Sequence, residues 1–325
     1  MYIFSLKILR KIYVKFVGVK DSMPIFEQDP DIAADLIYNE LLSKKPSMIA
    51  RFGAFELATV VNYIGVKNKN KNFLKYIKGE EPNWTWNLKL LKYMQNNAGF
   101  FPPTLENIEK FCELTLEDKK YVDILGSWLS DERYVDEGMD VSKIRILFLE
   151  PFWSKKPWSR VLKGKKVLVV HPFAETILKQ YEKKEKLFDN KDILPEFESI
   201  TTIKAVQSLG NGDDRFKDWF EALEYMKEEI DKVDYDICLI GAGAYGFALA
   251  AHVKRKGKKS VHMGGSLQLL FGIRGKRWED SNYGVTKKGV IKKGSYINMM
   301  NKYWVRPDES EMPISAQEVE DACYW

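Results

Sequence analysis

Residues 236–246, Asp236-Ile237-Cys238-Leu239-Ile240-Gly241-Ala242-Gly243-Ala244-Tyr245-Gly246, decide the fold. The run Ile237 to Ile240 is apolar without a break, as expected of a strand covered on both faces. It runs directly into a glycine turn, and from Tyr245 to Lys256 the residues read as a helix. Gly241, Gly243 and Gly246 have the GxGxxG spacing. In that arrangement glycines permit a tight turn and bring backbone N–H groups close to a phosphate at the helix start. Close helix–strand packing alone would also explain them.

The same strand–turn–helix pattern recurs on both sides of this stretch. Downstream, Lys259 to Met263 reads as a strand ending in Gly264-Gly265-Ser266. Upstream, Lys166 to Val170 reads as a strand ending in His171-Pro172-Phe173-Ala174-Glu175. A helix over 174–188 and a further strand over 199–206 follow it. Near the start, Ser47 to Phe52 reads as a short buried strand broken by Gly53, with a helix over 56–63. Asp29-Pro30-Asp31 opens the helix before it. Phe216, Phe220, Leu223, Met226 and Ile230 recur at helical spacing, and Asp213 or Asp214 is the expected cap. The stretch from about 70 to 145 is rich in Trp, Tyr, Leu and Lys with few strand signals, and predicts a helical insertion. The expected class is α/β: a doubly wound, mostly parallel, Rossmann-like sheet with that insertion and an N-terminal amphipathic helix. Residues 1–22 form the arm and 23–325 a single domain.

Charge and composition narrow the function. The chain has 325 residues, 45% of them hydrophobic, which is ample for a core. With 51 basic and 46 acidic residues the net charge is only +5, too even for a nucleic-acid binder. Cys112, Cys238 and Cys323 are far apart and His171, His252 and His262 are the only histidines. Neither a disulfide framework nor a zinc ribbon is expected, and a cytoplasmic location is. In residues 1–19 Lys7, Arg10, Lys11 and Lys15 interrupt an apolar, aromatic run. That pattern suits the surface of an anionic membrane, at the inner face of the cell membrane, better than a span; a helix packed on the domain is the alternative.

Four unusual turns follow four expected strands, and in an open parallel sheet such turns share one edge, where ligands bind. The candidate catalytic residues are Arg51, Glu56 and His171. Arg51 could pair with phosphate or with Glu56. Glu56 could be a base, a metal ligand or an acid compensating the helix dipole. His171 could stabilise a leaving phosphate or merely satisfy its turn. Gly53, Glu175, Gly241, Gly243, Tyr245, Gly246, Gly264, Gly265, Ser266 and Arg274 are the candidate ligand contacts along that edge. Capping is the alternative for Glu175, and a solvated basic loop for Arg274. The strand ending Val261-His262-Met263 carries no acid to hold a ribose, which counts against a nicotinamide or flavin enzyme.

Two of these stretches carry a resemblance. Pro46-Ser47-Met48-Ile49-Ala50-Arg51-Phe52-Gly53 with Glu56, together with Asp236 through Gly265, resembles the GT-D-fold glycosyltransferases over roughly residues 30–280. His171-Pro172-Phe173, the Gly241 turn, Gly264-Gly265-Ser266-Leu267-Gln268 and Cys323-Tyr324-Trp325 are similar to proteins encoded among surface-polysaccharide genes. The resemblance implies sugar transfer from a nucleoside-diphosphate donor to a lipid-linked glycan acceptor. In that family the first loop carries an Asp-x-Glu pair that binds Mn²⁺ or Mg²⁺. Here Glu56 is kept and Ala54 replaces the Asp, so the expectation is transfer without metal, with Arg51, His171 and Arg274 as fixed cations. Two other readings stay open: another Rossmann-type nucleotide-dependent enzyme such as an oxidoreductase, and a non-catalytic nucleotide-sugar-binding subunit.

Overall fold

The computed structural model describes residues 2–18, 23–208, 213–286, 289–312 and 323–325. Its strands are β1 (Ser47–Ala50), β2 (Ile124–Ser127), β3 (Ser142–Arg145), β4 (Lys166–His171), β5 (Ser199–Lys204), β6 (Ile237–Ile240) and β7 (Lys259–His262). They form one sheet in the order β3-β2-β1-β7-β6-β4-β5, and every pairing between them is parallel. The α/β, doubly wound expectation holds.

Strand periodicity divides the core in two. Met48, Ala50, Leu168, Val170, Cys238 and Ile240 face one layer of helices. Ile49, Val167, Val169, Ile237, Leu239 and Val261, the residues between them, face the other. This is why the central strands read as unbroken apolar runs.

The connections locate the crevice. β1 leads to β2 and β2 to β3, stepping toward one edge, and β6 leads to β7 in the same sense. β4 leads to β5, toward the opposite edge. The helix Ala174–Tyr181 after β4 packs through Ile177 on one face of the sheet. The helix Tyr245–Arg255 after β6 packs through Leu249 on the other. Neighbouring β4 and β6 thus send their chains apart, which makes their carboxyl ends a topological switch point.

Several local expectations need correction. The insertion expected over 70–145 is helical only in its first part, through Phe73–Lys78, Leu88–Ala98 and Leu105–Asp118. It ends in β2 and β3. Both strands have four residues. β2 contains Gly126, where a Cβ would come within 2.6 Å of Leu149 Cδ1, and β3 carries Lys143 and Arg145. Neither offers an apolar run long enough to read. The helix expected over 174–188 breaks into Ala174–Tyr181 and Lys184–Leu187. Asp218, not Asp213 or Asp214, caps the helix Trp219–Asp231, accepting from the Glu221 amide at 2.9 Å. Asp213 is held by Arg215, at 2.9 and 2.7 Å. Asp29 caps Pro30–Leu42 as expected.

The helix Tyr2–Phe16 lies on the insertion, burying Leu6 against Tyr76 and Trp84. Arg10 donates to Glu81 O at 2.8 Å. Its outer side leaves Phe4, Ile8, Leu9, Ile12 and Phe16 exposed. No helix of the described residues is long and apolar enough to cross a membrane.

Candidate functional site

The switch point opens into a cleft of about 110 Å³. β4 supplies His171, β6 supplies the turn Gly241-Ala242-Gly243, and Tyr245 stands at the helix start. Gly265, Gln268 and Tyr324 close the opposite wall. Gly243 has φ +50°, the left-handed region that a side chain would strain. Among the described residues nothing accepts from the amides of Ala242, Gly243 and Ala244. Of these, Ala242 and Gly243 line the cleft, and with the dipole of the following helix they give it its positive character.

His171 is fixed in role by its surroundings. Its Nδ1 accepts from the Phe173 amide at 3.0 Å, so the proton sits on Nε2. Burial holds its pKa down at about 3, so the ring is neutral. It is therefore a hydrogen-bond donor at Nε2 and not the cation that was expected. Gly241 makes room for it: a Cβ there would stand 2.6 Å from His171 Cδ2. Tyr245 is buried, bonded to Ser208 Oγ at 2.7 Å and stacked on Trp219 at 5.0 Å. Burial raises its pKa further above the usual phenol range. Gln268 Nε2 faces three carbonyls, those of Ile273, Arg274 and Tyr324. This fixes the amide orientation, and Oε1 is left buried with no donor. Among the described residues no Lys, Arg, Asp or Glu side chain lines the cleft.

The other expected residues fall around it unevenly. Gly264, at φ +67°, carries the chain between the cleft and Arg51, whose guanidinium lies 3.8 Å from where a Gly264 Cβ would be. Arg51 stands 5.6 Å over Trp128 and makes no ion pair among the described residues, with Glu56 or any other acid. Glu56 folds over Gly53 and faces a cavity of only about 20 Å³, room for a water or two. Gly246 serves packing: a Cβ would come within 2.1 Å of His262, which burial, aided by nearby Arg51, holds at a pKa of about 3.

Glu175 is exposed and lines neither space. Its amide, like that of Thr176, donates to the buried carboxylate of Glu311, at 2.8 and 3.3 Å. The helix start beside His171 is thus filled by the protein's own anion. Arg274 also lies outside the cleft; its loop passes beside Val305, and its Nε is buried without a partner. Among the described residues no three His, Cys, Asp or Glu side chains converge. With Ala54 in place of the Asp, Glu56 offers one carboxylate over a closed space. A metal held as in the Asp-x-Glu pair does not fit these residues.

A second chamber, of about 300 Å³, adjoins the cleft and shares Gly265 and Tyr324 with it. A Cβ on Gly265 would stand 2.1 Å from Tyr324 Cε1, so the ring rests directly on the backbone between the two spaces. Arg51, Trp128, Glu150, Ser266, Arg277 and Tyr283 line the chamber. Glu150 escaped the sequence reading. The available signal was a lone acid inside Leu147-Phe148-Leu149-Glu150-Pro151-Phe152-Trp153, where burial of a carboxyl is unusual. Arg277 was passed over in favour of its loop neighbour Arg274.

Comparison of the chain with family models, with curated proteins and with solved structures finds no match.

Proposed function

We propose that this protein binds a nucleoside-diphosphate sugar at the β4/β6 switch point and transfers the sugar to a glycan acceptor. The observation that supports this most is the meeting of the Gly241–Gly243 turn with His171 in one cleft at that point. Two free amides, a helix start and the Nε2 proton of His171 are suited to a diphosphate, because each donates to anionic oxygen without needing a charge of its own. Gln268 Oε1 is an acceptor for a ribose or sugar hydroxyl. The cleft holds on the order of ten water-sized positions. That accommodates the diphosphate, and the nucleoside extends past the open side. Arg51, beyond Gly264, is the nearest of the expected cations and would oppose charge developing on the leaving phosphate.

Calorimetry against UDP-, GDP-, dTDP- and CMP-sugars tests the binding. One nucleotide class is expected to bind, and to bind at least tenfold more weakly to His171→Ala; no binding in any class removes the reading. A second reading, a binding subunit without turnover, is favoured by one observation: among the described residues no charged side chain lines the cleft. Release of free nucleoside diphosphate in the presence of acceptor separates the two.

The same reading places the helix Tyr2–Phe16 on an anionic membrane at the inner face of the cell membrane. Ile8, Leu9, Ile12 and Phe16 are exposed on one side of it, beside Lys7, Lys11 and Lys15. An exposed apolar face beside a column of cations suits the boundary between acidic headgroups and acyl chains, and would bring the cleft to a lipid-linked acceptor.

A further inference from the structure

The second chamber combines aromatic walls with a few fixed polar groups. Trp128, Trp278, Tyr283 and Tyr324 supply the walls, and Arg51, Ser266, Arg277 and Glu150 the polar groups. A pyranose presents apolar C–H faces and a rim of hydroxyls, and such a lining covers the first while bonding the second. Glu150 is the decisive residue. It is only 7% exposed, and its Oε2 accepts from Tyr296 OH at 2.7 Å and from Trp153 Nε1 at 2.8 Å. Among the described residues no donor reaches Oε1, although Glu150 lines the chamber. Glu150 Oε1 is thus held in one orientation, unpaired and open to the chamber, where a ligand hydroxyl can donate to it. Arg51 and Arg277 are the charged groups that share the chamber with Glu150.

We infer that this chamber receives the acceptor sugar and that Glu150 is the base for its attacking hydroxyl. The inference rests on the glycosyl-transfer reading. In the step, the hydroxyl proton passes to Glu150 Oε1 as the acceptor oxygen forms its bond to the anomeric carbon. The bond from that carbon to the diphosphate oxygen breaks, and its electron pair leaves with the nucleoside diphosphate. Glu150 then returns the proton to water. Burial pushes the Glu150 pKa up to about 7, against the lowering effect of its two hydrogen bonds, so the group is near the optimum for a base at neutral pH. Tyr296 and Tyr283, the titratable groups packed round it, are both raised by burial and stay neutral.

The test uses the whole chain and two readouts. Methyl glycosides of glucose, galactose, N-acetylglucosamine and rhamnose are titrated while tryptophan fluorescence and ligand NMR are followed. At least one is expected to bind, about tenfold more weakly to Trp128→Ala. With the bound nucleotide sugar, Glu150→Gln is expected to lose transfer to the acceptor on the order of a hundredfold, with donor affinity retained. For the wild type, kcat/KM should rise with pH and level off above about 7, which serves as the readout if Glu150→Gln does not fold. Undiminished transfer by Glu150→Gln, a loss of donor affinity equal to the loss of transfer, or the absence of glycoside binding would each overturn the inference. Glycoside binding sensitive to Trp128→Ala, in a protein that binds no nucleotide sugar, would overturn the transfer reading while leaving the sugar subsite standing.

Discussion

His171 shows how one side chain's role depends on what surrounds it. Beside a proline at a strand end it reads as a cation for phosphate; in place, burial and the Phe173 amide leave it a neutral donor. Nucleotide-sugar affinity is therefore expected not to titrate with His171 across pH 5–8, roughly the window in which free histidine changes charge. Calorimetry at both ends of that range checks this. The same burial has a stability consequence. His171 and His262 have folded pKa values of about 3, below the unfolded value near 6.5, so unfolding takes up protons below pH 6.5. Stability should be fully present above that pH and fall as pH drops toward 3, by about 1.4 kcal/mol per pH unit for each histidine. Glu150 works oppositely: its folded pKa, about 7, exceeds its unfolded value of 4.5, so it favours the fold toward acid across that interval. Two histidines outweigh one glutamate, and Glu150→Gln should steepen the loss. Urea titrations at pH 7, 6, 5 and 4 decide it, and a flat profile would show that the histidines are not buried neutral.

Single elements carry their own expectations. The helix Ala174–Tyr181 begins against Glu311, whose carboxylate takes the Glu175 and Thr176 amides and the Thr176 hydroxyl. Glu311→Ala leaves these donors without an acceptor and is expected to destabilise the protein by roughly 1–3 kcal/mol in urea unfolding. Nucleotide-sugar affinity should change little, because the amides proposed for phosphate precede the other helix. The helix Tyr2–Phe16 predicts co-flotation with phosphatidylglycerol vesicles but not with phosphatidylcholine vesicles. Ile8→Asp with Ile12→Asp should abolish flotation while leaving the melting temperature within a few degrees, since both side chains are exposed. Equal flotation with both lipids would remove the electrostatic part of the argument.

Element-scale features also mark the limits of the sequence reading. β4, β6 and β7 were legible because burial on both faces leaves only apolar residues between turn signals. β2 and β3 were not, because Gly126 and Lys143 interrupt strands only four residues long. Of the site, the glycine turn and His171 were legible as turns after strands, since sheet topology brings those ends together. Glu150 was not, and Gln268 and Tyr324 entered only as part of a resemblance, because their places depend on contacts with residues far along the chain: Glu150 with Tyr296, and Gln268 with the Tyr324 carbonyl. Arg274 and Arg277 are three residues apart in one loop, and only packing assigns Arg277 to the chamber.

For the whole molecule, the expected independence from metal ions becomes a matter of layout. Transfer should survive excess EDTA unchanged, given that Glu56 has no second carboxylate beside it; full loss restored by Mn²⁺ would defeat this. The arrangement of the two spaces has a further result. One aromatic ring, Tyr324, is a wall of both, seated on Gly265 and tied to Arg277 Nη1 at 3.1 Å. Any occupant that displaces this ring in one space reshapes the other, so the two affinities are thermodynamically linked. Linkage of this kind is reciprocal: whatever factor an occupied cleft imposes on the chamber, an occupied chamber must return to the cleft.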